Sequence, residues 1–302
     1  MRTTAACSLP FLSGLILFLS IIAFLVNYYI YQFTGNNFFP EDMLLLVSII
    51  LLINLGLILL FGKKSRASNA GIELFYFFLV MSVIALATNA VQLTPFPTID
   101  RKILSIEEFF GIHMSYIMKW TNGHTNLKTL LSIIYDSLPY QMSILPLIII
   151  AAGRFHLIRE YYFLLLFTTL LGFSFYYFFP TTAPASIVTS PFFSPAQIAT
   201  GLKFNQIHNH MIPTTNEGGL IALPSFHTIW ALLNVYLLKE WPVACILLLT
   251  INCLLIASCV LLGWHYVIDI IAAIFLVAIS YYFLTFYKAK NHLLIFLTSP
   301  EG

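Results

Sequence analysis

Charged residues are scarce in this chain. Only 9% of its 302 residues are Asp, Glu, Lys or Arg, against about 25% in an ordinary soluble domain. Hydrophobic residues make up 60% of the chain, so polar side chains are too few to cover the apolar surface of a soluble globule. Aromatic residues make up 16%, whereas disordered chains are poor in aromatics and rich in charge. The composition therefore excludes both classes and indicates a helical membrane protein.

Strong net charge and metal-ligand clusters are also missing. The formal net charge is +2, and no basic run exceeds Lys63-Lys64-Ser65-Arg66, which is more typical of a topology signal than of a nucleic-acid surface. The four cysteines have no metal-ligand spacing. His208-Asn209-His210 has no acidic or cysteine neighbours, and we interpret it as two solvated loop histidines. We therefore expect no metal, no cofactor and no nucleic-acid partner.

Long apolar runs are what the sequence has in abundance. A transmembrane helix needs about 20 mostly apolar residues, and loop-type residues separate the runs from one another. The sequence predicts an all-α, polytopic integral membrane helix bundle with about eight transmembrane helices, at residues 11–33, 43–62, 72–91, 127–152, 160–179, 223–239, 242–262 and 264–287.

Basic loop residues favour one orientation of these helices. With the N-terminus inside, nine Lys and Arg residues fall on the inner side of the membrane and five on the outer side. Cytoplasmic loops carry an excess of Lys and Arg, so we predict that both termini are cytoplasmic.

Two outer segments are long. The segment 99–120 mixes isoleucine and aromatic residues with charges, which predicts an amphipathic helix lying in the membrane interface. The segment 180–222 is rich in Pro, Thr, Asn and Gly, which predicts a loop of about forty residues. A loop of that length is usually functional or disordered.

The start of the last predicted helix is the first candidate for chemistry, because ionisable groups in a membrane are energetically unfavourable and usually functional. His265 and Asp269 are four residues apart, so they share one helix face and the carboxylate can accept the imidazole Nδ1–H. That contact fixes the tautomer and turns Nε2 outward as a nucleophile or base. An interfacial histidine with an incidental aspartate explains the pair equally well.

The second candidate is Pro224-Ser225-Phe226-His227, at the start of the sixth predicted helix. We expect Pro224 at the first helical position, so that free backbone N–H groups and the Ser225 hydroxyl form an anion site beside His227. Helix capping by Ser225 is the alternative interpretation. The predicted topology places His227 and His265 at one depth on the outer face, which favours a common site.

These two segments together carry a family resemblance. Pro224-Ser225-Phe226-His227 followed by Gly263-Trp264-His265-Tyr266-Val267-Ile268-Asp269 resembles the second and third signature motifs of the type-2 phosphatidic acid phosphatase superfamily. The chain looks most like the branch that includes inositol phosphorylceramide synthase and many bacterial lipid phosphatases, to which 135–141 and 179–184 are also similar. The resemblance implies two accessory helices at 1–70, a six-helix catalytic membrane domain at 71–290 and a short cytoplasmic tail at 291–302.

The resemblance also implies a mechanism. In that superfamily the histidine of the last motif attacks phosphorus and forms a phosphohistidine, so His265 would be the nucleophile and Asp269 would orient it. His227 would protonate the leaving alkoxide and then activate the acceptor, which is water or an alcohol. The implied partners are a lipid phosphate substrate in the bilayer and the membrane lipids around it.

The sequence departs from the family pattern at the phosphate ligands. The first family motif, Lys-x6-Arg-Pro, has no match, and the Ser-Arg pair before the nucleophile is Ser258-Cys259 here. Two or more phosphate-binding cations are therefore missing. We expect helix-end N–H groups and other side chains to bind the substrate phosphate in their place, and the candidates are Ser225, Ser258, Tyr140, Gln141, Lys203, Arg101 and Lys102.

Asp136 is a further candidate, within the fourth predicted helix and close to Pro139. An aspartate inside a membrane needs a partner or stays protonated. It either lines the substrate cleft and contacts a polar headgroup, or makes a helix–helix hydrogen bond near a proline kink, and the sequence supports both interpretations equally.

Several functions remain open. The leading hypothesis is an enzyme, a lipid phosphatase or phosphotransferase that hydrolyses or transfers a lipid phosphate through a phosphohistidine at the extracytoplasmic face. One alternative is a headgroup transferase similar to inositol phosphorylceramide synthase, and a different class is a lipid transporter or a non-catalytic membrane scaffold. The absence of long polar tails favours a bacterial inner membrane, with the site facing the periplasm, over a eukaryotic membrane with a lumenal site.

Overall fold

The computed structural model describes residues 5–32 and 43–298 of the chain. These residues are helical apart from loops, so the prediction of an all-α bundle is confirmed. These residues contain a 3₁₀ turn at Pro184–Ser186 and twelve α-helices: α1 Ala5–Tyr29, α2 Met43–Phe61, α3 Arg66–Val91, α4 Asp100–Phe109, α5 Met114–Gly123, α6 Thr125–Asp136, α7 Leu138–Ala151, α8 Phe155–Phe178, α9 Pro195–His208, α10 Phe226–Leu237, α11 Pro242–Leu261 and α12 Val267–Thr298. The last residue of the first predicted span and residues 299–302 of the predicted tail lie outside the described residues.

Length and apolar composition divide the predicted spans into three groups. Within the described residues, five helices are long and apolar enough to cross a membrane, namely α1 from Leu9 onward, α3, α8, α11 and α12. Helices α6 and α7 qualify as a sixth span only as a pair, which is bent by 43°. Helices α2 and α10 are apolar but shorter. Each of the eight predicted runs therefore forms apolar helix, and five or six spans meet the length test.

The bend between α6 and α7 has a local cause. Pro139 stands in the first turn of α7, where it has no N–H to donate to the preceding turn. Ser137, between the two helices, donates its hydroxyl to the Ile134 carbonyl at 2.6 Å. The chain therefore changes direction directly after Tyr135 and Asp136, which places both residues at a helix end.

Helix α8 lies at the centre of the bundle. It packs against α1, α3, α7, α10 and α12, and 61% of its most apolar stretch is buried, against 22% for α11. The side chains of Leu157, Ile158 and Leu165 have no exposed surface. Because lipid tails are as apolar as these side chains, close packing rather than exclusion of water holds α8 in place.

The two ends of the bundle carry different residues. Helices α10 and α12 both begin at the end that carries His227 and His265, which we call the histidine end. At the opposite end, where α8 begins, acidic side chains pair with basic ones. We call it the ion-paired end, and its residues are Glu73, Arg159, Glu160, Lys239 and Lys288.

The two long outer segments differ from their predictions. The segment 99–120 forms two helices, α4 and α5, rather than one, because the chain turns at Gly111, whose φ of +74° suits glycine. The segment 180–222 is not a continuous loop, since it contains the 3₁₀ turn and α9. Ser194 and Gln197 form a capping box at the start of α9, and the Ser-x-x-Gln spacing was the sequence signal for that start.

Candidate active site

His265 lies in a tight turn between α11 and α12. The backbone N–H groups of Trp264 and His265 both donate to the Cys259 carbonyl, each at 2.9 Å. The turn begins at Gly263, whose φ is +83°, and a Cβ atom there would lie 2.7 Å from Met118 Sδ. The backbone conformation therefore favours glycine at this position, and a larger residue would also have to displace the Met118 side chain.

Asp269, in the first turn of α12, holds the His265 ring. Its Oδ2 accepts a hydrogen bond from His265 Nδ1 at 3.1 Å and another from the Tyr266 N–H at 3.0 Å. The contact joins the helix to the turn before it, so the two residues do not share a helix face as the sequence suggested. Because the carboxylate can only accept, Nδ1 carries the proton and the lone pair lies on Nε2. Burial lowers the pKa of His265, which favours the neutral ring.

His227 lies in the first turn of α10 and faces His265. Its Nδ1 is 3.4 Å from His265 Nε2. Ser225 is the N-cap of α10 and accepts the Thr228 N–H at 3.3 Å. Pro224 therefore precedes the cap, and the prediction that it takes the first helical position is wrong. The Ser225 N–H donates to the Asp269 carbonyl at 3.1 Å, so the starts of α10 and α12 are tied to each other.

A small cavity borders both histidines. It is about 20 Å³ in volume, which is room for about one water molecule. Tyr135 forms one wall, and its ring stacks between the rings of His227, at 4.7 Å, and Trp264, at 5.4 Å. Tyr135 had no predicted role, and its only signal in the sequence was its place in the segment 135–141.

Helix α4 brings two buried carboxylates to the same region. Asp100 Oδ1 accepts the N–H of Thr182 at 2.8 Å and its hydroxyl at 3.0 Å. Glu107 Oε1 accepts the Ile268 N–H at 3.0 Å, so it caps the start of α12, which carries Asp269. Burial raises the pKa of Asp100 to about 6 and raises that of Glu107 above its ordinary value.

The amphipathic helix α4 also has a face that packs on the protein, which the prediction of an interfacial helix did not include. The face that packs on the protein carries Asp100, Ile103 and Glu107, whereas Phe109 is 84% exposed. The spacing of three and four between the buried residues places them on one helix face. The sequence therefore indicates that these three residues share a face of α4. It does not indicate that this face packs against α12.

The residues predicted to bind phosphate are dispersed. Ser225 is the cap described above, and Ser258 donates its hydroxyl to the Leu255 carbonyl of its own helix at 2.6 Å. The Lys203 ammonium is buried and donates to the Gly218 carbonyl at 2.8 Å, and burial lowers its pKa to about 8. Lys203 therefore holds the loop before α10.

The remaining candidates do not line the small cavity at the two histidines. Tyr140 is 70% exposed, and Gln141 donates to the Ser137 hydroxyl at 3.1 Å. Arg101 and Lys102 are exposed on α4. Asp136 lines a neighbouring cavity. Helix α10, whose first turn carries His227, begins with backbone N–H groups that lack a carbonyl partner within the helix, and groups of this kind can bind an anion.

The described residues contain no group of three or more His, Cys, Asp and Glu side chains that could hold a metal ion. The family model of the PAP2 superfamily matches residues 101–283. The matched segment contains both histidines, Asp269, Tyr135 and Glu107. No curated protein and no solved structure matches the chain.

Proposed function

Because the chain belongs to the PAP2 superfamily, we propose that it is a membrane-embedded enzyme that hydrolyses or transfers the phosphate group of a lipid. Family membership makes it a phosphatase or phosphotransferase, and its apolar helices make it an integral membrane protein. The observation that carries the proposal is the series of contacts from Asp269 through His265 to His227.

His265 is the nucleophile in this proposal. Its Nε2 attacks phosphorus, the P–O bond to the lipid alkoxide breaks, and His227 gives that oxygen a proton. In the second step water or an alcohol attacks the phosphohistidine, the P–N bond breaks, and His227 takes the acceptor's proton. Each bond that forms is matched by one that breaks, and His227 returns to its starting protonation state.

The contact between the two rings determines how a substrate reaches Nε2. The 3.4 Å between His227 Nδ1 and His265 Nε2 leaves no space for a phosphoryl group between these atoms. A phosphoryl group therefore displaces the His227 ring from this contact as it enters. Its oxygens then face the N–H groups at the start of α10, and the positive end of that helix favours the anion.

The charges at the two ends of the bundle support an extracytoplasmic site. Lys239, Lys288 and Arg159 gather at the ion-paired end, which by the excess of basic residues in cytoplasmic loops faces the cytoplasm. The histidine end then faces the opposite side of the membrane. In a bacterial inner membrane that side is the periplasm, and both termini are cytoplasmic.

The proposal is tested by phosphate release from purified protein in detergent, with a chelator present. The substrates are phosphatidate, phosphatidylglycerol phosphate, sphingosine phosphate and a polyprenyl pyrophosphate. We expect release from at least one of them, loss of release in His265→Ala, and unchanged release in His113→Ala, which alters an exposed histidine on the outer segment. Equal release by the wild type and His265→Ala contradicts the proposal.

A further inference from the structure

Three rings stack on one another beside the reacting atoms. The ring centroid of Tyr135 lies 4.7 Å from that of His227, with 19° between the two planes, and 5.4 Å from that of Trp264, with 4° between the planes. The rings come from separate parts of the chain, since Tyr135 belongs to α6, His227 to α10 and Trp264 to the turn before α12. Tyr135 therefore lies between two nearly parallel rings and presents one face to His227.

The two histidines of the site differ in their partners. His265 Nδ1 donates to the Asp269 carboxylate. His227 Nδ1 lies 3.4 Å from His265 Nε2, and among the described residues no Asp or Glu side chain makes a hydrogen bond or an ion pair with the His227 ring. When His227 carries the proton that a leaving alkoxide needs, no carboxylate balances the positive charge of its ring.

The helices packed against α10 supply no other charge to this ring. These helices are α7, α8, α11 and α12, and neither α7 nor α11 contains Asp, Glu, Lys or Arg. The charged residues of α8 lie at the ion-paired end. In α12, Asp269 bonds to the far nitrogen of His265, and the two lysines lie in the second half of the helix. The thiol of Cys259 on α11 donates within its own helix, so the titratable groups that face His227 are His265 and Tyr135.

The ring face of Tyr135 can stabilise this positive charge. The face of an aromatic ring is negative and attracts a cation that lies over it. Trp264 packs on the other face of Tyr135 and limits the tilt of its ring. A carboxylate in the same place would also attract the cation, but it would repel the phosphate of a substrate. An uncharged ring face therefore suits a proton donor that lies beside a phosphate site.

We propose that Tyr135 is a positioning residue for the proton donor, because its ring face holds the His227 ring and stabilises the charged form that protonates the leaving alkoxide. The inference rests on the proposed function. In that reaction His265 Nε2 forms the bond to phosphorus, the P–O bond to the lipid alkoxide breaks, and His227 gives that oxygen its proton. Tyr135 makes no bond in these steps, so its removal slows departure of a leaving group that needs a proton and spares one that does not.

Two leaving groups of different basicity test this role. The alkoxide of the lipid phosphate that the phosphate-release assay identifies needs a proton, whereas the nitrophenolate of para-nitrophenyl phosphate is a weak base and leaves without one. We expect Tyr135→Leu to lower kcat/KM for the lipid roughly tenfold and kcat/KM for para-nitrophenyl phosphate less than about threefold. Because one preparation serves both substrates, partial loss of folded protein lowers both values equally and leaves their ratio unchanged.

The pH profile of kcat/KM for the lipid gives a second readout, which needs only one substrate. His227 must carry a proton, so kcat/KM falls as the pH rises through its ionisation. Without the ring face of Tyr135 the charged form is less stable, and in Tyr135→Leu the fall is expected at a pH about one unit lower. The two proteins therefore differ most on the alkaline side of the profile. This profile decides the matter alone if para-nitrophenyl phosphate is not cleaved.

Two further variants separate the ring from its hydroxyl group and from tyrosines in general. Tyr135→Phe keeps the ring face and removes the hydroxyl, so we expect kcat/KM for the lipid within about twofold of the wild type and an unchanged pH profile. Tyr116→Leu makes the same exchange as Tyr135→Leu at a tyrosine of α5 that is 70% exposed, and it is expected to leave the ratio of the two substrates unchanged.

Three outcomes overturn the inference. One is an equal loss on both substrates in Tyr135→Leu with a pH profile of unchanged shape, which assigns Tyr135 to the fold alone. Another is a loss in Tyr135→Phe as large as that in Tyr135→Leu, which assigns the effect to the hydroxyl, and the third is wild-type activity in Tyr135→Leu. In each of these cases phosphate release that depends on His265 still supports the proposed function. Absence of release by the wild type from every substrate contradicts the proposed function itself.

Discussion

Carboxylates are held in different ways at the two ends of the bundle. At the ion-paired end Glu160 accepts hydrogen bonds from Lys239 at 2.6 Å and Lys288 at 2.5 Å. At the histidine end Asp100, Glu107 and Asp269 are buried, and none of them pairs with a described Lys or Arg. They accept backbone N–H groups of Thr182, Ile268 and Tyr266 instead.

The difference follows from what each end has to hold. An ion pair between long side chains joins two helices but tolerates many geometries. A carboxylate that accepts a backbone N–H at a helix start fixes one peptide group, and here those peptides adjoin His265. The ion-paired end therefore stabilises the bundle, and the histidine end holds the proposed nucleophile in place at the expense of buried charge.

The largest effect is expected from Asp269→Asn. An amide presents either a weaker acceptor or a donor to His265 Nδ1, so the ring loses its fixed tautomer. We expect kcat to fall roughly 10³-fold or more, with a small change in KM. The measurement is steady-state release of phosphate from the lipid that the phosphate-release assay identifies as a substrate. A fall of less than tenfold would show that Asp269 does not orient the nucleophile.

Removal of the Glu107 cap is expected to have a smaller effect on the same step. Glu107→Ala leaves the Ile268 N–H at the start of α12 without its acceptor, and the His265 turn loses a support. We expect activity to fall by about 10–100-fold, the range seen when a residue that orients a metal ligand is removed. Glu107→Gln keeps a carbonyl oxygen and is expected to restore most of kcat. Equal losses in both variants would contradict a positioning role.

The opposite end supplies the contrasting variant. Glu160→Gln removes the charge of a buried carboxylate that pairs with two partly exposed lysines, and breaking such a cluster destabilises a fold. We expect the Tm in detergent to fall by several degrees, while kcat stays within about twofold of the wild type. A loss of kcat as large as that of Glu107→Ala would remove the distinction between the two ends.

The last expected effect changes stability rather than activity, and it depends on pH. Burial raises the pKa of Asp100 from 3.8 to about 6, so the folded protein binds this proton more tightly than the unfolded chain. The proton on Asp100 makes its full contribution to the free energy of unfolding below pH 4. That contribution, on the order of 3 kcal/mol, is lost as the pH rises through 6. Asp100→Asn removes the titration and keeps an oxygen that accepts both Thr182 hydrogen bonds.

Thermal unfolding at pH 4.5 and pH 7 measures this effect. The difference in Tm between the wild type and Asp100→Asn is expected to shift against the wild type when the pH is raised from 4.5 to 7. Parallel changes of Tm in the two proteins would show that Asp100 does not titrate in this range.

The sequence predicted the features that depend on local pattern. Apolar runs specified the helices, and the two motifs with the predicted topology brought His227 and His265 together. Their contact depends on alternating helix direction, which the number of crossings determines. The spacing of Ser194 and Gln197 likewise indicates the start of α9 from the sequence alone.

The sequence could not predict contacts between distant segments. Glu107 and Ile268 are 161 residues apart, and the stacking of Tyr135 on His227 likewise joins separate helices. Lys203 is the opposite case, because its sequence context suggested a contact that the structure does not show. A lysine in a polar segment suggested a phosphate ligand, but its ammonium donates to backbone carbonyls of the neighbouring loop. Pairing of this kind depends on tertiary packing, which a residue pattern does not contain.

Trapping of the covalent intermediate tests the role of His265 most directly. The purified protein is mixed briefly with a lipid whose phosphorus is labelled, quenched in alkali, which preserves phosphohistidine, and digested for mass spectrometry. The expected result is label on the peptide that contains His265, none in His265→Ala, and longer-lived label when His227 is changed to Ala. Substrate turnover without label on His265 at any quench time would contradict covalent transfer through this residue.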